Sequence, residues 1–189
     1  KIEEELNELD GAERKNFALA VPSYRDALRL RPDDAGLRVR LAAALREAGD
    51  FDAAVEEMRE AIRLAPDNAD YYHYLGNTLF HHQDFAAAAE AYRAGLAHRP
   101  SDVRMQANLG LALMQLGDWQ GTAAAFREAR KGRPDWPEVL VNLANALNRL
   151  NDSEGAAEAA RAALRLTPNM AEAHFQLGAA RLSQRRVGE

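Results

Sequence analysis

The sequence contains no cysteine, which removes thiolate catalysis, disulfides and Cys-ligated zinc together. It leaves the compartment open, the cytoplasm being slightly favoured over the periplasm. No apolar run approaches the roughly 20 residues that a membrane-spanning helix needs, so membrane insertion is not expected. The opening Lys1-Ile2-Glu3-Glu4-Glu5 is unlike a signal peptide, and with no initiator Met the chain is expected to be a fragment or a processed form. Basic residues are not in excess: 24 Lys and Arg stand against 29 Asp and Glu, for a net charge of −5. Both signs are interspersed, so the footprint that neutralises nucleic-acid phosphates is missing and nucleic acid is not expected as a partner. A Gly-rich phosphate loop, G-x-S-x-G and H-E-x-x-H are all absent, so no catalysis and no cofactor are expected.

What is present is a period. Pro32, Pro66, Pro100, Pro134 and Pro168 recur every 34 residues, the length of a helix-turn-helix unit repeated head to tail. Two short helices cannot bury their own apolar face, so the units must stack into an elongated solenoid with a continuous core and a long groove. Ala, Leu, Arg and Glu dominate and β-branched residues are few, which argues for an all-α fold. The units run over 35–68, 69–102, 103–136 and 137–170, preceded by a second helix at 17–34 and followed by a half-repeat or capping helix at 171–189. One domain without an internal boundary is expected.

Other columns share the register. Leu41, Leu75, Leu109, Leu143 and Leu177 are followed by Ala42, Gly76, Gly110, Ala144 and Gly178, a large residue beside a small one, as a close helix crossing requires. In the second helices Ala20, Ala54, Ala88, Thr122 and Ala156 form one column, and Tyr24, Met58, Tyr92, Phe126 and Ala160 the next. Between the helices Asp50, Asp84, Asp118 and Asp152 recur, after Gly49 and Gly117 in two units. The glycines can close the first helix in the left-handed region and the aspartates can cap the second. The residue after each proline, Asp33, Asp67, Ser101, Asp135 or Asn169, is of a type that opens the next helix. In residues 1–16 the pattern fails, with Asn7 and Glu8 in the Leu and small columns; this is an atypical segment with a degenerate first helix. Pro22 is expected to start a shortened helix. At the other end Arg181 stands in the column that holds Leu45, Leu79, Leu113 and Leu147, and Arg185 and Arg186 follow, a polar cap on the last apolar face.

These residues resemble the tetratricopeptide repeat (TPR) family, the best single match being Tyr72, Leu75, Gly76, Leu79, Ala88, Tyr92, Gly95 and Pro100. The resemblance covers about residues 17 to 180 and implies a right-handed superhelical solenoid of antiparallel helix pairs, whose first helices line a concave face. Reading the family's groove positions onto this sequence implies partner contacts from Arg40; from His73, Tyr74, Asn77, Phe80 and His81; and from Asn108, Met114 and Gln115. Asn142, Asn145, Arg149, Phe175 and Gln176 complete the set, with Asn148 beside them. Asn is unfavourable inside a helix, and a carboxamide can pair with an extended peptide backbone. Asn108 and Asn142, one repeat apart, are similar to the asparagine ladder in the repeats of protein O-glycosyltransferases. The alternative is that these amides bridge neighbouring helices. The fifth positions, Val39, His73, Ala107 and Val141, lack the lysine of the carboxylate clamp that chaperone-binding members use.

His73 and His81 are about two turns, roughly 12 Å, apart, too far to share an ion, so no metal site is expected. His98 and His174 read as surface or packing residues. Phe51, Phe85 and Trp119 share a column and read as interhelical packing, and Trp136 as packing at a junction. The expected function is a scaffold that binds a protein or peptide segment in its groove. Two alternatives stay open: the substrate-recognition region of a larger enzyme such as a glycosyltransferase, and a self-assembling scaffold, since self-association is possible.

Overall fold

The structure, a computed structural model, describes residues 17–187, with side chains as far as Gln184. The atypical segment 1–16, with Asn7 and Glu8, and the side chains of Arg185 and Arg186 lie outside the described residues. What is described is helical, with no strand. Helix α1 covers 17–30, and nine more follow: α2 (Ala35–Glu47), α3 (Phe51–Leu64), α4 (Ala69–His81), α5 (Phe85–His98), α6 (Val103–Gln115), α7 (Trp119–Gly132), α8 (Pro137–Arg149), α9 (Ser153–Leu166) and α10 (Ala171–Val187).

The helices form two compact units, Lys1–His98 and Arg99–Glu189. In the first, α2 packs on α3, α3 on α4 and α4 on α5. One of its apolar clusters joins Val21 and Leu28 of α1 to Leu41 and Leu45 of α2 and to Ala54 and Met58 of α3. In the second unit α6 packs on α7, α7 on α8, α8 on α9, and α10 on both α8 and α9. Its core centres on Phe126, Leu143, Leu147, Ala156, Ala160 and Leu177.

The small column earns its place through the ring column. A Cβ added at Gly76 would run into the Tyr92 ring, and one at Gly110 would stand 2.9 Å from the Phe126 ring. Both rings are almost fully buried, so the absent side chain is what lets each ring close the helix pair. Gly178 in the same column has nothing within 4 Å.

Each first helix ends in the same way. Asp50, Asp84, Asp118 and Asp152 donate their backbone N–H to Leu45, Leu79, Leu113 and Leu147 at 2.8–3.0 Å, the long bond of a Schellman ending. The residue before each aspartate has positive φ: Gly49 at 89°, Gln83 at 65°, Gly117 at 74° and Asn151 at 60°. The left-handed position therefore recurs in all four units, two of them without glycine. The aspartate carboxylates accept the backbone N–H of Ala53, Ala87, Gly121 and Gly155 at 2.9–3.3 Å, satisfying donors that the second helix leaves open.

Two expectations are corrected. The caps of the first helices stand two residues after the proline, not one. Asp34 accepts from Leu37, Asn68 from Asp70, and Asp102 from Arg104 and Met105. A turn closed by bonds such as Asn68 N–H to Ala65 carbonyl uses the residue next to the proline before the chain can re-enter a helix. Pro22 does not start its helix, because residues 17–21 are already helical. Within a helix a proline removes one N–H and crowds the carbonyl four residues back, although its fixed φ is helical, and the buried Val21 and Leu28 anchor the helix on both sides of it.

Candidate functional site

In the first unit the candidate residues lie on α2 and α4. Arg40 is exposed on α2. On α4, His73 is buried, its ring 6.2 Å from Tyr74 and 6.1 Å from Tyr92. Asn77 accepts a 2.8 Å hydrogen bond from the Tyr92 hydroxyl. Its amide thus serves the helix pair, through the same tyrosine that fills the space over Gly76. Tyr74 and His81 are exposed, and Phe80 is half-buried with its ring 5.2 Å from Phe85.

The second unit gathers more. Asn145, Asn148 and Arg149 of α8, Phe175, Gln176, Ala179 and Ser183 of α10, and Trp119 at the start of α7 line one open cleft of about 320 Å³. Asn148 Nδ2 donates to both the backbone carbonyl and the side-chain Oε1 of Gln176, at 3.0 and 2.9 Å. This pairing sets the spacing of α8 and α10 and leaves Asn148 Oδ1 buried without a partner. Asn145 Nδ2 approaches Met114 Sδ at 3.8 Å, a weak contact for a strong donor. Phe175 is 72% exposed, so the cleft carries a large apolar ring at its edge. Asn108 and Asn142 are half-buried and Gln115 is exposed; none of the three lines this cleft.

Arg149 lies over the Trp119 ring, its guanidinium carbon 4.6 Å from the ring centre, a cation–π arrangement that orders a long side chain. Trp119 was expected only to pack between helices. It does pack on the core, but it also forms one wall of the cleft. The signal was its column: Phe51 meets His82 at 5.4 Å and Phe85 meets Phe80 at 5.2 Å, so an aromatic at this position meets a planar side chain near the end of a first helix.

Other charged groups lie elsewhere. Arg63 donates to Glu60 at 2.9 Å on α3; the bond holds the Glu60 carboxyl below its ordinary value and raises Arg63. His98 stacks on Tyr72 at 5.3 Å, and His174 Nε2 is 2.8 Å from the Pro168 carbonyl. Trp136, half-buried, opens α8 without a side-chain cap, under the Arg133 guanidinium at 4.8 Å. No described helix is long and apolar enough to cross a membrane.

Two tetratricopeptide repeat profiles match the sequence, one over residues 74–137 and 141–189 and the other over 11–77. No curated protein matches it. Among solved structures, it is similar to YrrB, described as a TPR protein with an unusual peptide-binding site, at 17% identity and a TM-score of 0.78, over 88% of this chain and 86% of that one. It is also similar to MamA residues 41-end from Desulfovibrio magneticus RS-1, at 20% identity and a TM-score of 0.73, over 87% and 94%. A third is the C-terminal part of a TPR repeat-containing protein from Cytophaga hutchinsonii, at 16% identity and a TM-score of 0.77, over 95% and 71%. At these identities the likeness concerns the fold. With the 34-residue period, the ring-on-glycine crossings and a profile covering more than half of the sequence, the chain belongs to the tetratricopeptide repeat family.

Proposed function

We propose that this protein is an interaction module that binds a segment of another protein, without chemistry of its own, and that the α8–α10 cleft is the principal contact. The observation that carries this reading is Phe175, a large apolar ring left 72% exposed beside the Asn145 and Gln176 amides and the ordered Arg149. An apolar anchor beside hydrogen-bonding amides and one cation suits a peptide, whose backbone needs donors and acceptors and whose side chains need a surface. The cleft is preformed by the Asn148–Gln176 pair, which lowers the ordering cost of association. In the first unit, the exposed Tyr74 and His81 and the half-buried Phe80 of α4 are further candidates of the same mixed character. YrrB, of similar fold, is described as having a peptide-binding site, which agrees with this reading.

The test is capture of random 12-residue peptides by the immobilised chain, compared with Phe175→Ala and Asn145→Ala. Loss of captured peptides in both variants, at unchanged helicity, supports the assignment. Capture that neither substitution alters would move the site away from this cleft.

A further inference from the structure

We infer that the α8–α10 cleft selects a segment carrying an internal aspartate or glutamate beside a large apolar residue, with Arg149 reading the acid. This rests on the proposal that the cleft is the binding site.

The first observation is how Arg149 is held. Its guanidinium stands 4.6 Å over the Trp119 ring, so one face of the plane is covered. Arg149 is exposed, and a guanidinium carries its N–H donors around the edge of its plane, a fork that can meet a carboxylate with two parallel bonds. The second is what is missing beside it. The chain has another arginine on a tryptophan, Arg133 over Trp136 at 4.8 Å, and that one has a carboxylate within reach, Asp135 at 3.9 Å. Among the described residues Arg149 has no such counterpart, and no Asp or Glu lines the cleft. Its formal charge is therefore a single uncompensated positive one, next to an aromatic wall.

The remaining groups define the neighbourhood of the acid. Phe175 supplies apolar surface, so a large apolar residue adjacent to the acid has a place to rest. Asn145, Gln176 and Ser183 are neutral and suit a backbone that passes through, which favours an acidic side chain within a segment over a chain terminus. At about 320 Å³ the cleft is at the lower end of ligand sites, about 300–1,000 Å³, and suits a few side chains more than a folded element.

The experiment uses two pools of 12-residue peptides, acetylated and amidated, with randomised flanks free of Asp and Glu. One pool has a central Glu-Leu and the other Gln-Leu. Captured peptides are quantified on the full chain and on Arg149→Gln, Arg149→Lys and Phe175→Ala. The expected result is enrichment of the Glu-Leu pool by roughly tenfold or more, abolished in Arg149→Gln and reduced in Arg149→Lys, which keeps the charge but not the planar fork. Equal capture of the two pools, or a preference unchanged in Arg149→Gln, would overturn the inference. So would an acid preference seen only for peptides with a free C-terminus. Equal capture that disappears in Phe175→Ala would leave the cleft as the binding site and remove only the acid preference. Absence of capture from both pools would overturn the inference, and random 12-residue peptides also left uncaptured would remove the binding site with it.

Discussion

The Tyr92 hydroxyl donates to the Asn77 side-chain oxygen at 2.8 Å, while the ring of the same tyrosine occupies the space that a side chain on Gly76 would fill. One residue of α5 thus both packs on α4 and satisfies an amide that would otherwise be costly within a helix. Phe126 repeats the packing over Gly110 without the hydroxyl, so the polar part is an addition to a crossing that is apolar at its root.

Substituting Gly76 or Gly110 with alanine forces the ring beneath to move, and overpacking of this kind costs about 1–3 kcal/mol. Gly178→Ala meets nothing within 4 Å, so it gains helix propensity, about 0.5–1 kcal/mol. Urea unfolding of the three variants should place Gly178→Ala above the parent and the other two below it. An equal effect at all three positions would remove the close crossing as the reason for the small column.

Tyr92→Phe keeps the ring and deletes the bond to Asn77. The expected loss is about 1 kcal/mol, smaller than that of Gly76→Ala if packing dominates the crossing. Thermal melts read by helical circular dichroism order the two variants.

Gln83 occupies the left-handed position, at φ 65°, that glycine fills at Gly49 and Gly117. Gln83→Gly relieves backbone strain at the cost of a more flexible unfolded chain, for a net gain of about 0.5–1 kcal/mol. Gly117→Ala should lose a similar amount. Denaturation midpoints shifted in the opposite directions would show that the turn is not held left-handed in solution.

Asp118 and Asp152 accept the backbone N–H of Gly121 and Gly155 at 2.9 Å each. Replacing either with alanine should cost about 1 kcal/mol, and with asparagine much less, because asparagine can also cap. Hydrogen exchange should speed up first at the amides of the capped turn. Uniform acceleration along the unit would mean that the cap supports more than its own helix.

The fold was legible because its determinants are local and repeated. The prolines, the Leu–small pairs and the aspartate column each act within a few residues of their own position, and four or five copies of a weak signal make a strong one. Asp50, Asp84, Asp118 and Asp152 could be assigned as caps from spacing alone. The first-helix caps were misplaced by one residue because the turn after the proline is closed by a backbone bond, such as Asp34 N–H to Arg31 carbonyl, that leaves no mark on side-chain type. Pro22 misled for a related reason. Its fixed φ is compatible with a helix start and a helix interior alike, and only the burial of Val21 and Leu28 decides between them.

The candidate site was legible in part. Arg149, Asn145, Phe175 and Gln176 could be named because the resemblance to tetratricopeptide repeats implies which positions of each unit face the groove, and the period carries those positions from unit to unit. Their different duties could not. Asn77, Asn145 and Asn148 are one residue type at equivalent kinds of position, yet one accepts from Tyr92, one faces a sulfur atom and one fastens α8 to α10. The partners lie 15, 31 and 28 residues away, and an amide chooses among them by distances of a few tenths of an ångström.

The amino-acid sequence by itself determined the period, the helices and the core columns, because hydrophobic pattern, caps and turn residues are properties of short stretches of chain. Only the tertiary structure decided which polar groups are used up in holding the helices and which stay available. Hydrogen bonds and ring contacts depend on how closely two separate helices approach, and that approach is set by the packing of all the side chains between them. Trp119 shows the difference: its position in a packing column was readable, whereas its second role, ordering Arg149 at the edge of an open cleft, exists only once α7, α8 and α10 have come together.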